Sequence, residues 1–158
     1  MKHAKPIVIV CLVLFGCGCV HAQAHSNSMS QPPASICGHW IVKKAIPWAV
    51  EPNDKYLGLQ VEYLSQTMRF GKEVINNPIY TVARWSQRDF SKGFHGLYLN
   101  EIGIKGNSVV VVKVFRHQKS KEFIGPGTLL FIRGRNQIIT GWNGAFYVLQ
   151  RDGPSCVK

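Results

Sequence analysis

The chain has 158 residues, of which 19 are Lys or Arg and 8 are Asp or Glu, for a net charge of +11, and 46% are hydrophobic. That length suits one domain with a single packed core and argues against two. Its longest apolar run, Ile7 to Phe15, is far shorter than the ~20 residues of a membrane-spanning helix, so no such helix is expected, while the positive balance favours anionic partners.

The first predicted element is an export signal. Lys2, His3 and Lys5 precede the apolar run, and small residues lead to Ala22-Gln23-Ala24, which predicts cleavage after Ala24 and a periplasmic or secreted product. A second reading attaches a lipid at Cys17 or Cys19, because Leu14-Phe15-Gly16-Cys17 loosely resembles a lipobox, and would make an outer-membrane lipoprotein. Losing residues 1–24 leaves 134 residues with 17 basic and 8 acidic side chains, a net charge of +9. Cys11, Cys17 and Cys19 leave with the signal. Cys37 and Cys156 remain, and in an oxidising compartment they are expected to form one disulfide, closing 119 positions and stabilising the fold by roughly 4 to 5 kcal/mol. A disulfide there implies that the ends of the domain lie together, and it favours a sheet whose two edges meet. The competing reading makes Cys37 a nucleophile with His39 as its base, since residues two apart on a strand share a face.

Residues 25–35 are Ser, Asn, Gln and Pro with little to bury, and read as a flexible leader. The domain spans 36–158. Short runs of Val, Ile, Tyr, Phe and Trp, separated by Gly, Asn, Pro or Asp, predict eight strands near 39–46, 58–63, 66–71, 79–85, 108–116, 128–133, 136–142 and 145–151. Asn143-Gly144 between the last two suits a type I′ hairpin, and Gly134-Arg135 suits the turn before, so 128–151 should be an antiparallel meander. Between 87 and 106, Phe94, Leu97, Tyr98 and Ile102 fall near helical spacing, which predicts a short helix or lid loop weakened by Gly93, Gly96 and Gly103. The expected fold class is all-β: a small antiparallel eight-stranded barrel carrying that helix, with a β-sandwich as the alternative.

At the start of the first core strand stands Gly38-His39-Trp40, and near the end of the last stands Arg151. That pair resembles the calycin superfamily of lipocalin-like barrels, whose Gly-x-Trp opens the barrel and whose terminal Arg covers the Trp. The resemblance implies a structural role for Gly38, Trp40 and Arg151: a guanidinium over the indole seals the closed end and gains ~0.5 to 2 kcal/mol. The Thr-Asp-Tyr motif of longer lipocalins and a helix after the last strand are missing, so their retinoid and lipid ligands are not carried over.

No catalytic set stands out. His25, His39, His95 and His117 are isolated, without the close pairing of zinc sites, so neither a metal nor a cofactor is expected. The carboxylates are scattered, and only a chance meeting such as Glu62 with Asp89 would serve glycoside hydrolysis. Gly125-Pro126-Gly127 precedes a strand and lacks the Lys and Ser or Thr of a phosphate loop, so it reads as a turn.

Two basic loops are the candidate partner-binding groups: Arg116, Lys119 and Lys121 after the fifth predicted strand, and Arg133 and Arg135 in a later hairpin. Arg there suits bidentate contacts with carboxylates, although antiparallel order does not place the two loops at one end. Most aromatics alternate with polar residues as core positions do, which argues against nucleic acid. The expectation is an exported inhibitor or immunity-type protein that neutralises a wall-degrading enzyme or effector, binding an acidic protein or an anionic envelope polymer. A carrier of a small apolar ligand is the alternative, and a cell-wall hydrolase the third reading.

Overall fold

The computed structural model describes residues 27–117 and 125–156. Ten strands form one antiparallel sheet: β1 Asn27–Met29, β2 Gly38–Pro47, β3 Gln60–Tyr63, β4 Thr67–Phe70, β5 Glu73–Asn76, β6 Ile79–Ser86, β7 Ser108–Phe115, β8 Leu129–Ile132, β9 Gln137–Trp142 and β10 Ala145–Arg151. Their spatial order is β1-β6-β7-β8-β9-β10-β2-β3-β4-β5. The fold is all-β, in line with the strand texture of the sequence.

Three expectations need correction. The barrel is not closed, because no ladder joins the outermost strands β1 and β5. Each pairs along one side only, β1 with β6 and β5 with β4, so the sheet ends in two short edges of three and four residues. Cys37 and Cys156 do bond to each other, but they flank β2 and β10, which are direct neighbours in the sheet with Arg151 opposite Trp40. The cross-link therefore staples adjacent strands and does not draw the two edges together: the ends of a chain need not be the edges of its sheet. Two strands, β1 and β5, lie outside the eight that the sequence predicts. β1 lies in the supposed leader and pairs with β6, and β5 buries only Ile75 among its four residues.

The sheet curls so that its two halves face each other. Trp40, Tyr63, Met68, Phe70 and Ile75 from β2 to β5 share a buried cluster with Tyr80, Val112, Val114, Leu130, Ile138 and Tyr147 from the other half. The two halves come into close contact at Gly127, before β8. Its φ is +80°, and an added Cβ would stand 2.6 Å from Phe70 and 2.7 Å from Met68. Its N–H donates to Thr140 Oγ1 at 3.1 Å, and its carbonyl accepts from the Tyr63 hydroxyl at 3.0 Å. Only a residue without a side chain fits such a contact. Burial pushes the Tyr63 hydroxyl well above the usual phenol range, so it stays a donor.

The opposite face of β7 to β10 is buried as well. Val111, Phe131, Ile139, Phe146 and Val148 meet Phe90, Leu99 and Ile102 from residues 87–106. Burial on both faces explains the apolar stretches 109–112, 129–132 and 145–149 within these strands. The covering segment holds one α-helix, α1 Gln87–Gly93, and a 3₁₀ turn, Leu99–Ile102. The helix stops before Phe94 because Gly96 takes φ +93° and even His95 sits at +49°. Ser86 caps α1 and exchanges hydrogen bonds with Asp89, which lowers the Asp89 carboxyl below its ordinary value. No helix among the described residues is long and apolar enough to cross a membrane.

Candidate functional site: an aromatic cleft with a basic rim

Among the described residues, a concave feature lies where four separate segments meet beside β4. Residues 54–56 form a 3₁₀ turn after β2, β4 and β5 join through Gly71 and Lys72, residues 125–126 precede β8, and Trp142 ends β9. Together they frame a cleft of about 680 Å³. Tyr56, Leu59, Phe70, Pro126 and Trp142 make its apolar lining, with Lys55, Lys72 and Glu73 beside them. The three charged residues are exposed, Phe70 and Pro126 are buried, and Tyr56, Leu59 and Trp142 are half-buried.

This wall is held in place from within. Asn53 caps the 3₁₀ turn by accepting from the Lys55 N–H at 3.1 Å, and its own N–H donates to the Tyr147 hydroxyl at 3.1 Å. Tyr56 stands edge-on to Phe70 and Tyr147, with ring centroids 5.8 and 5.2 Å apart. Beneath the cleft the space between the sheet halves is occupied by Trp40, Tyr63, Tyr80 and Tyr147, none more than 1% exposed. The cleft is therefore a surface feature over a filled core.

At the other end of β10, Arg151 covers Trp40 with Cζ 4.1 Å from the ring centroid. It donates to the carbonyls of Cys37 at 2.7 Å, Ser35 at 2.9 Å and Arg135 at 3.1 Å. Partial burial lowers its pKa from the ordinary value, yet a guanidinium remains cationic. The Trp40 indole N–H donates to Ile36 O at 2.8 Å. Gly38 takes φ +124°, and a Cβ there would come within 3.2 Å of the Arg151 guanidinium.

The two basic loops are not brought together. Lys113 opposes Leu129 and Val111 opposes Phe131, so Arg116 and the Arg133–Arg135 hairpin lie toward opposite ends of β8. Arg116 is exposed beside a narrow fissure with Glu73, Val74 and Pro126. Arg133 is exposed, and its guanidinium lies against Gly103 of the covering segment, where an added Cβ would stand 2.8 Å away. Arg135 is exposed and its carbonyl serves Arg151. Lys119 and Lys121 lie outside the described residues.

His39 lies 3.5 Å from Glu62, which also pairs with Arg69. His95 stacks on Trp48 at 6.0 Å, and Asp89 serves the helix cap. Among the described residues no three His, Cys, Asp or Glu side chains gather as metal ligands would. Lys55, Tyr56, Leu59, Lys72 and Trp142 were not singled out by sequence reasoning, since only the curl of the sheet unites them. The chain matches no protein-family model, no curated protein and no solved structure.

Proposed function

We propose that this chain is an exported recognition protein that docks on an acidic protein, acting as an inhibitor or immunity-type protein against a wall-degrading enzyme or effector. The observation that carries the reading is the contrast between a filled interior and an open, preorganised aromatic cleft bordered by lysines. A rigid surface of that composition loses little conformational freedom on docking, which suits tight association. The net charge of +9 left after loss of residues 1–24 favours an acidic partner and fast encounter with it. Export rests on the Lys-rich start and apolar run before Ala24, and the Cys37–Cys156 bond fits an oxidising compartment. The calycin kinship is part of the same proposal, and the stack of Arg151 on Trp40 supports it.

Affinity capture from the native envelope at low and moderate salt tests the reading. It should recover one acidic protein whose retention falls as salt rises; recovery of none at either salt overturns it. A second reading, a carrier of a small apolar ligand, draws on the cleft volume of about 680 Å³, which lies in the range of ligand sites. Native mass spectrometry showing one bound small molecule per chain would favour it.

A further inference from the structure

We infer that the cleft is an anchor site for a single apolar side chain of an acidic protein segment, with Lys55 and Lys72 pairing the carboxylates that flank it. This deepens the recognition role proposed above and rests on it.

The size and depth of the cleft select the apolar group. Its volume of about 680 Å³ is ample for one side chain with adjoining backbone, but its floor is Phe70, 2% exposed, over Tyr147, 1% exposed. A long flexible chain has nowhere to continue inward, whereas a Leu or Phe side chain is covered on entry by Tyr56, Leu59 and Trp142. The half-buried rings of Tyr56 and Trp142 leave apolar surface that such a side chain removes from water.

The rim selects the flanking charges. Lys55 and Lys72 come from different segments, both are exposed, and neither is in an ion pair among the described residues. Lys55 Nζ lies over the Tyr56 ring, 5.1 Å from its centroid, so a carboxylate drawn to Lys55 is brought next to that apolar wall. Glu73 shares the rim, so the three charges sum to one positive, and it is an acceptor for an N–H of the docked segment. An apolar anchor ringed by opposite charge is how a compact site obtains affinity from the anchor and selectivity from the rim.

The test uses the oxidised mature chain and amide and indole NMR spectra. Four blocked probes are added in turn: the peptide Glu-Asp-Leu-Asp-Glu, its Ser-for-Leu version, Lys-Lys-Leu-Lys-Lys, and decanoate. The chain has four Trp, and Trp142→Phe identifies the Trp142 indole signal by removing it. The acidic Leu peptide should shift that signal and the Lys72 amide saturably, with Kd in the mM range. The Ser version should bind about tenfold more weakly, and Lys72→Glu should weaken the Leu peptide by roughly fivefold. The inference is overturned if the Leu peptide leaves Trp142 unmoved, if the Ser or basic peptide does as well, or if decanoate alone binds. The two proposals fail separately. Capture of a native acidic partner without peptide binding at Trp142 removes the anchor site and leaves the recognition role, and peptide binding without a native partner does the reverse.

Discussion

Arg151 lies over the face of Trp40 at 4.1 Å while its three nitrogens donate to the carbonyls of Cys37, Ser35 and Arg135. One side chain thus ties the entry to β2, the β8–β9 hairpin and the last strand into one end of the sheet. Lys keeps the charge but has neither the planar fork nor the stacking surface. Arg151→Lys is expected to cost about 2 to 3 kcal/mol in urea unfolding. The Arg135→Lys control, at a position used through its backbone, should be near neutral.

Gly127 is the hinge of the curl. An alanine there adds a methyl 2.6 Å from Phe70 at φ +80°, whereas Gly58, at φ +79°, has nothing within 4 Å of the same methyl. Both substitutions incur backbone strain of about 1 to 2 kcal/mol. Only Gly127→Ala adds overpacking, a further ~1 to 3 kcal/mol. Paired urea titrations of Gly58→Ala and Gly127→Ala should separate by that second amount.

The disulfide joins residues 119 positions apart, yet those residues flank strands that already pair along seven registered positions. Cys37→Ser with Cys156→Ser is therefore expected to lower stability by about 4 kcal/mol without changing topology. Amide spectra of the cleft residues should superpose on those of the oxidised protein.

Asp89 gives α1 a pH-dependent start. Its carboxyl is lowered by hydrogen bonds from the Ser86 side chain and backbone, so the cap contributes above the usual carboxylate range near pH 4 and is lost as pH falls through the lowered value. The Asp89 carboxyl, followed by NMR titration, should protonate below a free aspartate. Ser86→Ala should move it back toward the ordinary value.

How far the sequence could be read depended on how local each signal was. The β9–β10 hairpin was plain because Asn143 and Gly144, at φ 52° and 77°, are side by side in the chain and have the chemistry such a turn needs. β7 to β10 were plain because burial on both faces makes apolar runs. β5 was hidden, since Glu73, Val74 and Asn76 are exposed and a strand with one buried residue has no alternation to show. The edge problem misled for a physical reason: the Cys37–Cys156 bond reports where the chain's ends lie, and β2 and β10 sit inside the sheet. The cleft was illegible because Tyr56, Phe70, Pro126 and Trp142 are far apart in sequence. The basic loops, conspicuous as charge runs, gave no hint that Arg133 would lie against Gly103.

The most direct measurement is the affinity of the captured acidic partner, by calorimetry at fixed salt, for two charge-reversed variants: Lys55→Glu with Lys72→Glu, and Arg133→Glu with Arg135→Glu. Reversal at the cleft should weaken binding at least about tenfold, a loss near 1.4 kcal/mol, while reversal at the hairpin leaves it within about twofold. The opposite order, or an equal loss in both, would contradict recognition through the cleft.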